Sequence, residues 1–143
     1  MSDFSDCVDK MKLVRQNLGA SAVKTEFGEA EKDLASAEAS LASRDWKWAI
    51  VQSYYSMFHS ARALVFRKGY REKSHFCLSV ALRELFVKPG ILDSKHADSF
   101  EDAMLARQDA DYGGAYSHES AEISVAEAKS FLEAAKKLAH SGF

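Results

Sequence analysis

The stretch WKWAIVQSYYSMFHSARALVFRK, Trp46 to Lys68, decides the fold. Stepped at the roughly 100° per residue of an α-helix, Trp46, Ile50, Tyr54, Met57, Phe58, Ala61, Leu64 and Val65 fall on one broad arc, with Val51 at its edge. An arc that wide needs several neighbours at once, so the segment reads as a central helix. A strand would alternate strictly and would not run so far without a turn residue. Opposite the arc, Gln52, Ser56, His59 and Ala63 make a narrow stripe of small and polar side chains. A second surface can come close there: another helix of the same chain, or the same helix of a second copy.

A length of 143 residues fits one domain, 1–143, with a core of useful size. Nineteen Lys and Arg against 21 Asp and Glu leave a net charge of −2, so no overall basic field drives non-specific nucleic-acid binding. Any nucleotide or RNA contact has to be local. Cys7 and Cys77 stand far apart without a CxxC partner, which gives neither a disulfide framework nor a zinc signature and points to a reducing, cytoplasmic setting. The acidic start MSDFSDCVDK has no signal-type apolar run, and no stretch approaches the ~20 apolar residues of a membrane span. A single proline and segments rich in Ala, Glu and Lys favour helix, and no strand run flanked by hairpin turns is visible. The expected class is all-α, a bundle of about five helices arranged up and down around the central one.

Taken in order, Phe4, Cys7, Val8, Met11, Val14 and Leu18 recur at helical spacing and predict a first helix over residues 3–18. GASAVKTEFG, from Gly19 to Gly28, reads as a connection. Ala30, Leu34, Ala37 and Leu41 then form a thin stripe, and Asp45 or Ser43 is placed to cap the central helix. Gly69 is placed to end that helix, YREKS reads as a polar turn, and Ser74 caps a short helix that VKPG stops. Asp93 or Ser94 opens the next, whose buried stripe runs through Ala97, Phe100 and Met104 and, by the same steps, reaches Arg107 and Asp111. Gly113 and Gly114 end it, AYSHES reads as a polar loop up to Ile123, and Ser124 to Glu127 matches a capping box before the last helix.

The stretches SYYSMFHSARALVFRKG, SHFCLSVALRELFVKPGIL and ARQDADYG resemble, in order and spacing, the HEPN family of small all-α domains, over roughly residues 29–140. The resemblance implies a bundle of four or five helices and commonly a homodimer. It also implies, for many members, a minimal nucleotidyltransferase as partner in a toxin–antitoxin pair, or metal-independent ribonuclease activity. The family's ribonuclease motif is Arg, four to six residues, then His, assembled in a cleft between two protomers. Arg107 matches its first position, but Tyr112 stands where the histidine would be after four intervening residues. A phenol with pKa ~10 does not exchange protons near neutral pH as an imidazole does.

Three functional readings follow. In the first, a dimeric module holds a nucleotide or RNA phosphate through Arg107, with His59 and Tyr112 contributing, and works with a nucleotidyltransferase. In the second, an endoribonuclease uses Arg107 to stabilise the phosphorane while Asp111 or Tyr112 replaces the histidine. The third is a helical scaffold without a ligand. Each residue also has a plainer role: Arg107 pairs with Asp111 one turn on, Tyr112 packs its ring at a helix end, and His59 is hydrogen-bonded inside the bundle. Tyr54 and Tyr55 read as packing residues, and His75 and His118 as solvated side chains in polar turns. No metal-ligand spacing, phosphate-cradling glycine loop or HExxH is present, and neither a metal nor a cofactor is expected.

Overall fold

The computed structural model describes residues 2–141. Its elements are α1 (Asp3–Asp9), β1 (Leu13–Arg15), α2 (Gly19–Ala42), α3 (Trp46–Arg67), β2 (Tyr70–Glu72), α4 (His75–Leu82), α5 (Ser94–Gln108) and α6 (His118–His140), with π-helical turns at Arg83–Val87 and Asp109–Gly113. The class is all-α. The central helix is α3, with α2, α6 and α5 packed around it.

The wide apolar arc of α3 does what its width demands. Tyr54, Met57, Ala61, Leu64 and Val65 are each at most 2% exposed and share one core cluster with Leu78, Leu82, Phe86, Phe100 and Phe131, while Ile50, equally buried, belongs to a second cluster with Ala37, Ala110, Ala121 and Val125. The small polar stripe resolves to the first of its two alternatives, since α2 of the same chain lies on it. Ser56 Oγ donates to the Ala30 carbonyl at 2.9 Å, and the Gln52 side chain pairs with Ser40 at 2.7 Å. Asp45 caps α3, accepting from the Trp48 amide, and Gly69 ends it with φ at +83°, a backbone that L side chains rarely adopt. Ser74 and Asp93 cap α4 and α5.

Several expectations at the periphery are corrected. The first helix stops at Asp9. Met11, at φ +57°, turns the chain into β1, which pairs antiparallel with β2, Leu13 facing Glu72 and Arg15 facing Tyr70. This register buries Leu13 completely while leaving Met11 66% exposed. The segment 70–72 is therefore a strand and not a polar turn. Gly19–Gly28 is helix, because Phe27 and Ala30 pack inward and outweigh the ~1 kcal/mol that an internal glycine costs. The last helix begins at His118, capped by reciprocal bonds between Ser117 and Ser120, and Ser124 is buried inside it.

Cys7 and Cys77 form a disulfide, which ties α1 to α4 across a Cα–Cα distance of 5.8 Å. The expectation of two unpaired thiols fails because the β ribbon folds α1 back against α4, a proximity that 70 residues of separation conceal. Among the described residues no helix is long and apolar enough to cross a membrane.

Candidate functional site

Arg107 lies in the last turn of α5, just before the π-helical turn Asp109–Gly113. The stripe that buries Ala97, Phe100 and Ala103 carries its side chain inward, to 16% exposure. There the guanidinium carbon lies 5.3 Å from the ring centroid of Tyr54 and 5.9 Å from that of Tyr55, so it covers two aromatic faces of α3. Nη1 reaches Asp111 Oδ2 at 3.4 Å, longer than the 2.7–2.9 Å or so of a good charge-assisted bond. Nε is buried and has no hydrogen-bond partner among the described residues. A guanidinium with five N–H donors is thus fixed in place with most of its donor capacity unused.

Beneath Arg107, wholly buried Tyr54 directs its hydroxyl to Nδ1 of His75 at 2.5 Å. His75 opens α4, held there by the Ser74 cap, and its ring lies 4.6 Å from that of Phe58. Burial, followed by the positive charges of Arg107 and Arg62, lowers the His75 pKa from its ordinary 6.5. Burial likewise raises the Tyr54 pKa, against the opposing pull of Arg107. Both groups are therefore neutral at pH 7. With the phenol as donor, the ring's remaining proton sits on Nε2, which makes no other hydrogen bond among the described residues.

The four expected site residues are distributed unevenly. Arg107 and Asp111 are together. Tyr112 is carried outward by the π turn and is 83% exposed. His59 faces α2, with Nδ1 2.5 Å from Glu26 Oε2 and Nε2 3.7 Å from Asp33 Oδ2. Its neighbour Arg62 bridges Glu26 at 2.7 Å and Glu72 at 2.9 Å. This ionic network joins α2, α3 and the β ribbon, and burial raises the pKa of Asp33 and of Glu72 above the ordinary carboxylate values. His59 is thus held by carboxylates and not by Arg107.

Sequence reasoning missed Tyr54, Tyr55 and His75 as site residues. His75 is not a solvated turn residue, since α4 places it against the core. His118 is 60% exposed, yet it stacks on Trp46 at 4.4 Å and meets Glu122 at 2.8 Å. The adjacent tyrosines at 54 and 55 were the one visible signal; nothing in the sequence links them to His75.

Residues 24–142 match the family described as HEPN domain. Two proteins of Methanocaldococcus jannaschii are similar to this chain. "Putative toxin MJ0605" is 28% identical over 109 residues, spanning 76% of this chain and 81% of its own length. "Putative toxin MJ0142" is 31% identical over 110 residues, spanning 76% and 75%.

Proposed function

Because the chain belongs to the HEPN domain family, we propose that it is a toxin-type HEPN module that works as a homodimer and engages a nucleotide or RNA phosphate through Arg107. The observation that carries this reading is the guanidinium itself, seated on Tyr54 and Tyr55 with Nε unpartnered and Nη1 only loosely bound to Asp111. A phosphate oxygen answers that arrangement, because paired N–H groups in a fixed fork match its geometry. Exposed Tyr112, five residues on, is available to the same ligand or to a partner of the minimal nucleotidyltransferase type. The toxin descriptions of the two archaeal relatives support such a partner system.

A second reading, a metal-independent endoribonuclease, is favoured by one specific observation. Another helix brings an imidazole within electrostatic reach of Arg107, that of His75, whose Nδ1 is bonded to Tyr54 and whose Nε2 is left for a substrate. In that reading Arg107 stabilises the phosphorane and His75 Nε2 exchanges the proton, in place of Asp111 or Tyr112.

One experiment separates the two. Labelled RNA and a labelled nucleotide are offered to wild type, Arg107→Ala and His75→Gln, with mass measured in solution. Cleavage by wild type that both variants lose favours the enzyme. No cleavage by any of them, with binding lost in Arg107→Ala alone, favours the module. A monomer whose binding is indifferent to Arg107 rejects both.

A further inference from the structure

The N-terminal segment is fastened along the stretch that leads into His75. The Gln16 amide donates to the Gly69 carbonyl at 2.9 Å, β1 pairs with β2, and the Lys73 amide donates to the Lys12 carbonyl at 2.8 Å. Ser74 and His75 follow at once, and two residues further on Cys77 is bonded to Cys7. The family match covers 24–142, so Cys7 belongs to an N-terminal addition while Cys77 and His75 belong to the domain itself.

Other holds on α1 are few. Of its described residues only Cys7 is buried; Phe4 is half-buried, with its ring 5.8 Å from that of Tyr70, and Val8 is 42% exposed. Seven residues are too few for a helix to persist alone. The docking of α1 therefore depends on the disulfide. That bond lands in the first turn of α4, where the Cys77 amide donates to Ser74 Oγ at 3.0 Å and completes the cap beside His75. The cross-link thus bears on the turn that presents Nδ1 of His75 to the Tyr54 hydroxyl.

The two sulfurs differ as leaving groups. Cys77 is the third residue of α4, near the leading amides of that helix, which stabilise a thiolate. Cys7 lies in the last turn of α1, flanked by Asp6 and Asp9 at the negative end of the helix, which disfavours one. An attacking thiolate is therefore directed to Cys7, and Cys77 is the sulfur that leaves. Both cysteines are 3% exposed, so attack waits on fraying of α1, a terminal element with little burial.

We propose that the Cys7–Cys77 bond is a redox latch on His75, opened by thiol–disulfide exchange with a dithiol reductant that enters at Cys7. One thiolate of the dithiol bonds to Cys7 Sγ, and the Cys7–Cys77 bond breaks with its electron pair passing to Cys77. The second thiolate then attacks the dithiol's own bonded sulfur and expels Cys7. Two electrons pass to the protein, both cysteines take protons from water, and the dithiol ends as a disulfide. α1 then undocks, the first turn of α4 loses its cross-link, and His75 loses its fixed place against Tyr54. The latch is read at His75 itself and stands or falls independently of the function proposed above.

The test compares the full-length protein oxidised in air with the same protein reduced by dithiothreitol, using ring-nitrogen NMR of His75 and amide hydrogen exchange. Oxidised protein should hold His75 as the single tautomer protonated on Nε2, and reduced protein should show the averaged signals of two tautomers. Exchange at the amides of Cys77 and Leu78, both bonded to Ser74, should quicken about tenfold or more on reduction. Helical content by circular dichroism should stay nearly constant. Cys7→Ala with Cys77→Ala should show the loosened ring with or without reductant. Brief exposure of oxidised protein to glutathione, followed by alkylation and peptide mass analysis, should place the adduct on Cys7. Four results overturn the proposal: an identical His75 ring in both states, an adduct on Cys77, free thiols in the air-oxidised protein, or collapse of the helical signal on reduction.

Discussion

The hydroxyl of Tyr54 meets Nδ1 of His75 at 2.5 Å, and the Arg107 guanidinium carbon lies 5.3 Å from the centroid of the same tyrosine's ring. One wholly buried phenol on α3 thus connects a cation at the end of α5 to an imidazole at the start of α4. Positioning residues for a site need such support, because a side chain held by packing and by a buried hydrogen bond keeps its geometry when ligand is absent.

His75 should make folding weaker in mild acid. Its folded pKa lies below the ordinary 6.5 because burial and the two arginines disfavour the imidazolium. The unfolded chain then takes up the proton first, so this contribution is whole above about pH 6.5 and is lost as pH falls through and below that value. His96, also lowered by burial, acts in the same direction. The raised pKa values of Asp33 and Glu72 have the opposite sign: their contribution is present in acid and lost as pH rises through the folded values. The His75 part is isolated by urea unfolding of wild type and His75→Gln between about pH 7.5 and pH 5.5. Wild type should lose more stability over that interval. Equal losses would remove the claim that His75 is buried as a neutral ring.

Arg107→Leu should separate function from stability. The leucine keeps apolar cover over Tyr54 and Tyr55, removes the unpartnered buried Nε and releases Asp111, which is 24% exposed and can hydrate. The lost pair with Asp111 is long and worth well under 1 kcal/mol. Urea midpoints should therefore move little, within about 1 kcal/mol in either direction, while phosphate-ligand binding disappears. A loss of several kcal/mol would make Arg107 a structural strut.

The fold was legible where burial and periodicity agree, and illegible where local punctuation misleads. In α3 the apolar arc is wide enough to specify a central helix outright, and every side chain it names except Trp46 is buried, as are Ser56 and Ala63 of the opposite stripe, which α2 covers. Gly19 and Gly28 looked like the ends of a connection, yet both lie in α2, where Glu26 and Phe27 between them contact α3 or the core. Ser124 has the spacing of a cap because Glu127 follows three residues on, but Ser117, with Ser120, supplies the cap about two turns earlier. The strands β1 and β2 are three residues each and carry no period long enough to detect. At the site, Arg107 was visible as a charge on a buried stripe. His75 was not, because its role arises only when α4 packs against α3.

Arg62 should be the most sensitive charged position. Its Nη1 lies 2.7 Å from Glu26 Oε1 and its Nε 2.9 Å from Glu72 Oε1, and the two carboxylates are only 10% and 6% exposed. The same guanidinium lies against Phe58 and Phe66, at 5.4 Å and 4.9 Å from their centroids. Arg62→Ala leaves buried Glu72 without its cation and Glu26 with His59 alone, a class of change that costs about 3–5 kcal/mol. The loss should shrink in acid, where Glu72, whose pKa burial already raises, becomes protonated. Arg62→Met with Glu26→Gln and Glu72→Gln should recover a large part of it. Chemical denaturation of the single and triple variants at two pH values decides the matter. A single variant as stable as wild type would reduce the network to a surface feature.

The Cys7–Cys77 bond closes a loop of 70 residues, so reducing it should matter although α1 is only seven residues long. In the chain-entropy account, a cross-link of that span stabilises by about 4 kcal/mol, mostly by restricting the unfolded state. Cys7 and Cys77 are also each 3% exposed and belong to the core, so the paired serine variant would lose packing as well as the bond. Cys7→Ala with Cys77→Ala, compared with wild type plus and minus a thiol reductant, separates the two effects. Reduced wild type should unfold at lower urea than oxidised wild type, and the alanine variant should not respond to reductant at all. Hydrogen exchange should quicken first in α1 and β1, which the bond anchors, while the amides of α3 keep their protection. If exchange quickened evenly across α3 and α6 instead, the disulfide would be holding the whole bundle together and not merely fastening its N-terminal end.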